Sequence, residues 1–493
     1  MDCEVVVVGG GIGGLTVAAL LASRGVSVCV LERERQVGGC AAAFEKFDYR
    51  FDPGYGLFTG WEPGGIHERV FSELRVEPPN ASACDPAYVV RLPDASEIKL
   101  VRDQTLFEME LRQGFPECAD EAIEFYRETT RLGAATRSAL RKTRDLLSQP
   151  KARRAYSLFS RNRSASEILI YREHSAAQHL ERVSNRFRRF VDVQLQTFAQ
   201  GNGNEVSYLQ AALSLSAPFE GIYALQGGAP ALAERLAKSI TQSGGKVRLN
   251  TPVLKLAYDA SGGAMGVDLL SGETVSASQA IVSNLTLWDT YGKLIGLNRT
   301  PTEIRKQLNG LRGWGAYLLF LGVEENAGTD IPNHVLTLKD WQESAPYTPE
   351  DNQLVFAAAP ARDGSAPAGK RAVTVHAFTE VDEWFTFHND ESEHDEKDQQ
   401  MLEQCWNQLH AAMPELGSNI EVIDTATPRT FYDLTRRKLG MVGGVASRPE
   451  LWRAGPNHET SLPNLFMVGD TSSGWGIEAI TRFAWLLAAQ LTR

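Results

Sequence analysis

The run Glu4 to Val8 ends in four valines and stops abruptly at glycines. An unbroken β-branched stretch bounded by glycine predicts a strand covered on both faces. From Leu15 to Arg24 apolar residues recur at helical spacing and end at Gly25, a helix with its terminator. A second apolar strand, Val26 to Leu31, ends at Glu32. Similar punctuation returns in mid-chain. Gly227-Gly228 precedes a helical pattern from Pro230 to Thr241, and Gly244-Gly245 precedes a strand from Lys246 to Leu249. Thr251-Pro252-Val253 then opens a β-meander with turns at Asp259 to Gly263 and at Ser271-Gly272. A strand from Gln279 to Val282 returns to the first sheet, and an apolar strand near Leu465 leads into a last helix ending at Leu491. Alternating strands and helices predict an α/β fold with a parallel sheet.

The glycines of the first turn carry chemistry. Gly9-Gly10-Gly11-Ile12-Gly13-Gly14 satisfies G-x-G-x-x-G at Gly9, Gly11 and Gly14. Gly9 allows the tight turn, Gly11 lets a pyrophosphate approach the backbone, and Gly14 lets helix and strand pack closely. The helix N-terminus offers free N–H groups and a positive dipole end to the phosphates. Glu32, 23 residues after Gly9, ends the second strand, where a carboxylate accepts both ribose hydroxyls and repels a 2′-phosphate. With strand, helix, second strand and acid in register, the unit reads as a Rossmann dinucleotide site. Gly13 inside the loop and Arg33 beside Glu32 join its candidate contacts.

Two further motifs turn the reading from NAD toward FAD. Val37-Gly38-Gly39-Cys40 follows the ribose acid, and the paired glycines resemble a feature of glutathione-reductase-like FAD proteins. Leu462 to Asp470 is a short apolar strand ending in Gly469-Asp470, followed by Gly474-Trp475-Gly476-Ile477-Glu478. This resembles the second flavin motif of that superfamily. The resemblance implies that Asp470 contacts the ribityl or pyrophosphate part of FAD and that the helix beginning near Gly476 and Ile477 points its positive end at the flavin ring. Val253 is an adenine contact by the same resemblance.

The chain has 493 residues and a net charge of −11, which argues against wholesale nucleic-acid binding. The six cysteines show no C-x-x-C spacing, so neither a zinc site nor a disulfide framework is indicated. No metal is expected. The stretch Asn389 to Asp398, rich in acids and histidine, reads as a solvated turn. Neither a basic leader nor about 18 uninterrupted apolar residues occur, so the expected location is cytoplasmic without a membrane span. Charge is uneven: Arg131 to Phe190 holds 15 Lys+Arg against 4 Asp+Glu. With apolar residues interspersed, such a helical region could sit on an anionic membrane surface, although a solvated face of an otherwise acidic protein is the favoured reading.

The chain resembles the carotenoid isomerase and phytoene desaturase group of FAD proteins. The likeness rests on Gly38 to Glu45, Tyr49 to Gly54, Leu57 to Gly60, Ala280 to Asn284 with Leu287 to Thr290, Thr427 to Thr430 with Arg436-Arg437 and Gly440, and the Gly469-Asp470 block. It implies a glutathione-reductase-like FAD domain built from 1–75, 221–295 and 425–493. The mixed α+β substrate domain is expected at 76–220 and 296–424. It also implies an apolar tunnel to the flavin, a lipophilic polyene substrate, and desaturation, cis–trans isomerisation or saturation of carbon–carbon double bonds. An FAD-dependent amine or amino-acid oxidase shares all these motifs, and a non-catalytic flavin-binding protein would keep them. No second dinucleotide motif for NAD(P)H appears, so the electron acceptor is open, with oxygen or quinone fitting a net redox reaction.

Candidate chemistry follows from that frame. Glu478, in the first turn of the last helix, is a proton donor, a gate at the pyrimidine edge, or an acid favoured by the helix dipole. Arg429 and Arg482 are placed to stabilise an anionic flavin, to bind a carboxylate, or to form structural ion pairs. Tyr55 and Trp475 wall the substrate or pack the core. Trp475, Arg482 and Trp485 are bulky for positions near a flavin, which favours a smaller or more polar substrate.

Overall fold

A computed structural model of the chain describes residues 2–147, 170–171, 173–325, 331–386, 391–418, 420–444, 460–473 and 476–492. The strand Asp2–Val8 lies mid-sheet, parallel to Val28–Leu31 on one side and to the strand Thr274–Ser283 on the other. Lys246–Arg248 and Leu465–Met467 extend the parallel sheet at its two ends. Alternate valines of the first strand serve different cores. Val5 and Val7 face the helices Ile12–Ser23, Gly228–Gln242 and Gly476–Leu491, whereas Val6 and Val8 face Leu256, Val267 and Leu294. Full burial on both faces explains the unbroken valine run. Each valine contributes roughly 1.5–3 kcal/mol.

One element differs from the sequence reading. The meander and the returning strand are continuous, because Thr274–Ser283 is a single strand. Its first half pairs antiparallel with Ala264–Leu269, and its second half pairs in parallel with Leu465–Met467. Pattern analysis splits it because its middle residues are exposed and polar while its end is buried.

A second sheet of seven strands is mixed. Gly315–Glu324 lies between Lys370–Thr379 and Ile420–Ala426, and the order continues through Gln353–Ala358 and His334–Leu338 to Tyr88–Arg91 and Glu97–Leu100. The helices Ala119–Leu147, Asn185–Ala199 and Tyr208–Leu215 pack beside it in one apolar core. The stretch expected as a solvated turn is largely helix, Glu391–Ala412. Glu391, Glu393, Asp395 and Glu396 face solvent and Asp398 accepts from the Tyr317 and Thr425 hydroxyls, while Met401, Cys405 and Leu409, spaced four apart, are buried.

Among the described residues no helix is long and apolar enough to cross a membrane. Residues 148–169 and 172 of the basic stretch lie outside the described residues. Within it, Arg186 pairs with Asp94 and Glu117, and Arg189 is buried against Asp192 at 3.0 Å. Arg189 is thus committed inside the protein, whereas Arg186 forms its pairs at the surface.

Candidate active site

A single cavity of about 2040 Å³ runs between the two sheets. Gly9, Gly11 and Gly13, with Glu32, Arg33, Gly38, Gly39 and Val253, line one part of it. Glu32 is buried at 7 % exposure; its carboxylate accepts from the Gly10 amide at 2.6 Å and the Glu34 amide at 2.9 Å. Arg33 is exposed and pairs with Glu34.

The glycine loop has a second constraint that spacing does not reveal. Asn284, at the end of the long strand, donates to the Val468 carbonyl. A Cβ on Gly11 would stand 2.6 Å from the Asn284 Oδ1, and one on Gly13 would stand 2.9 Å from its Nδ2. Gly14 is as tight, and against backbone: an added Cβ would stand 2.6 Å from the Gly9 carbonyl oxygen and 3.0 Å from Val7 Cγ1. The strand–helix contact therefore needs glycine at Gly14, as the motif implies.

Gly469, Asp470, Gly476, Ile477 and Glu478 line the same cavity. Asp470 is ion-paired to Arg437, with Nη2 to Oδ2 at 2.9 Å. Arg437 also donates to the carbonyls of Met441 and Gly443 and so ties that loop to Asp470. Glu478 meets Arg482 at 2.6 Å. Tyr55, Gln200 and His376 line another part, and Leu140, Phe198, Leu213 and Ile222 supply an apolar wall from the helices of the substrate side.

Strand, glycine turn, buried acid and second Gly-Asp block thus converge on one cavity. The family profile of flavin-containing amine oxidoreductases matches residues 12–479.

The chain belongs to this family. Among curated relatives, prolycopene isomerase from Daucus carota is 25% identical over 97% of this chain and 78% of its own length. The all-trans-retinol 13,14-reductase of Danio rerio is 25% identical over 95% of this chain and 82% of its own. An oxidoreductase from Methanosarcina mazei shares the fold, with a TM-score of 0.65 at 18% identity over 99% of both chains.

Within this flavin-family scaffold the candidate side chains separate. Burial pushes the Glu478 carboxyl up, but the guanidiniums of Arg482 and Arg137 and the Thr59 hydroxyl outweigh it and hold it below the usual range. This arrangement favours the carboxylate form of Glu478. Arg429 lies at the surface, 4.0 Å from Glu391, and does not reach the cavity. Arg437, quoted above only within a resemblance, occupies the buried place instead. Trp485 turns away and donates to Glu73 at 2.9 Å, so its bulk does not crowd the cavity. Trp475 lies outside the described residues.

Tyr55 packs edge-on against His376, with ring centroids 4.7 Å apart. Burial drives the Tyr55 phenol upward, and burial lowers His376 to about 3, so both are neutral. Gln200, His376 and Arg137 escaped the sequence reading. They sit at a helix end, inside a strand and inside a long helix, with no local motif to mark them.

Proposed function

We propose that this protein is an FAD-dependent enzyme acting on carbon–carbon double bonds of a lipophilic unsaturated molecule, such as a carotenoid, by desaturation, isomerisation or saturation. The observation that carries this reading is the cavity. Its volume of about 2040 Å³ includes the dinucleotide cleft, and the part beyond that cleft is walled by Leu140, Phe198, Leu213 and Ile222, an apolar lining that suits a lipophilic chain. The names of the curated relatives agree with such a substrate.

The residues present fit FAD. Glu32 keeps free lone pairs for ribose hydroxyls, and the first helix presents its N-terminus to the cavity for the diphosphate. Gly39 carries a positive φ of 59°, and a Cβ there would lie 3.6 Å from the Gly11 Cα, narrowing the channel between the two loops. When bound, FAD supplies two-electron redox chemistry. The chain's own residues bind and orient. The apolar wall excludes water, and Arg482 and Arg137 at the cavity wall are balanced by Glu478 and by Glu220, 3.7 Å from Arg137. The excess of cations over Arg131 to Phe190 supports delivery of the substrate from an anionic membrane surface.

The test mixes purified protein anaerobically with carotenoid polyenes, with the flavin fully oxidised or fully reduced, and resolves products by chromatography. Bleaching with a more unsaturated product identifies desaturation. A changed isomer only in the reduced state, without net redox, identifies isomerisation, and a more saturated product identifies saturation. Peroxide release on adding an amine, with every polyene inert, sinks the reading.

A further inference from the structure

A chain of net charge −11 repels an anion at long range, yet the diphosphate of FAD is a dianion. Beside the dinucleotide cleft the charge runs the other way. Leu285 to Arg312 and Asp433 to Lys438 together hold eight Lys+Arg against three Asp+Glu. Contacts join the two stretches. Lys293 Nζ donates to the Arg436 carbonyl at 3.0 Å, and the Lys438 ammonium lies 5.4 Å from the centroid of the Trp288 ring. Trp288 in turn donates to the Leu308 carbonyl at 2.9 Å. Lys293, Lys306 and Arg436 are exposed and also line the cavity, so they stand at a mouth of it.

That mouth borders the cofactor motifs. The first stretch leaves directly from Asn284, which lies against Gly11 and Gly13, and its Leu287 amide donates to Thr471 Oγ1 at 3.0 Å. The second stretch contains Arg437, the partner of Asp470. The nearby acids do not cancel the rim. Asp289, Glu303 and Asp433 pair with Lys293, Lys306 and Arg436. Arg299, Arg305 and Lys438 form no ion pair among the described residues, so their charge is surplus. Exposed pairs such as Lys306 with Glu303 add little to stability, and the fold does not require these cations.

We propose that this rim steers the FAD diphosphate into the cleft, with Lys306 and Arg436 acting by long-range attraction rather than by contact in the bound state. The proposal rests on the FAD reading above and adds how a net-negative chain captures an anionic cofactor. A cleft lined by charge of one sign raises association rates about 10–10³-fold, and charges at a rim act on association far more than on dissociation. The effect fades with salt, because the screening length falls from about 30 Å at 0.01 M to about 3 Å at 1 M.

The experiment uses the FAD-loaded full chain. On dilution, the fluorescence of released FAD gives the dissociation rate constant, and the final occupancy gives the dissociation constant. Their ratio is the association rate constant. Lys306→Gln/Arg436→Gln should associate about tenfold more slowly than wild type at about 0.01 M salt, with dissociation unchanged and the deficit gone at about 1 M. Lys306→Gln alone should show an intermediate deficit. Lys339→Gln/Arg362→Gln, the same charge change on exposed residues outside the cavity wall, should match wild type. An equal loss in both double variants overturns the proposal, because net charge alone then matters. Faster dissociation of the rim variant overturns it too, since these side chains would then bond to the bound cofactor. Unchanged association also overturns it; if binding to phosphatidylserine vesicles is lost instead, the rim serves a membrane. A purified chain that holds no FAD removes the FAD reading itself, and the proposal with it.

Discussion

At the scale of single residues, the Arg437–Asp470 pair illustrates how a motif residue depends on a partner far from it in sequence. Asp470 follows from the Gly-Asp block, but its partly buried carboxylate is paired with Arg437, 2.9 Å away and 33 residues earlier in the chain. The guanidinium is fully committed, to Asp470 and to the Met441 and Gly443 carbonyls. Arg437→Met should therefore destabilise the protein by about 1–3 kcal/mol, since it leaves a partly buried carboxylate and two carbonyls without their donor. Adding Asp470→Asn should recover part of that loss. Urea unfolding of wild type, single and double variants measures both. A single variant within about 0.5 kcal/mol of wild type would show that the pair carries no such weight.

Among the elements, the first helix and the first strand are held at a distance that only glycine permits. Gly14→Ala would place a methyl group 2.6 Å from the Gly9 carbonyl oxygen, where backbone rather than a flexible side chain must yield. The expected cost is about 1–3 kcal/mol, with reduced flavin retention because the helix N-terminus moves off the cavity. Gly292→Ala is the control, since nothing lies within 4 Å of its added Cβ. Thermal unfolding and the flavin-to-protein absorbance ratio read both effects; equal behaviour of the two variants would refute the packing argument. The neighbouring Glu32 was legible because spacing after a glycine motif is a local signal. The fork in Thr274–Ser283 was not, because its two halves are distinguished by the neighbours they pair with rather than by their own pattern.

For the whole molecule, buried neutral histidines set the acid limit. Burial lowers His67 to about 4, His334 to about 4 and His376 to about 3. Their folded values lie below the unfolded value near 6.5, so the unfolded chain takes up protons first as pH falls. Stability is full above about pH 6.5 and is lost progressively down toward the folded values. At pH 5 each histidine should have cost on the order of 2 kcal/mol. Urea midpoints at pH 7.5 and pH 5 should differ accordingly, and His334→Phe should shrink the difference. A flat profile between those pH values would show that the three titrate as in the unfolded chain.

The sequence by itself determined the dinucleotide unit, the order of its strands and helices, the ribose-side acid and the second Gly-Asp block. Each is written in local pattern: valine runs, glycine spacing, and an acid at a strand end. Tertiary structure alone decided which polar groups meet. Arg437 rather than Arg429 reaches the cavity, Glu478 is neutralised by Arg482 and Arg137, and Tyr55 stands between Gln200 and His376. Apart from Glu478 and Arg482, one turn apart on the last helix, such pairings join residues tens to hundreds of positions apart. Their charge states are set by burial and by the partner across the cavity, quantities that exist only once the two sheets and their helices have packed together.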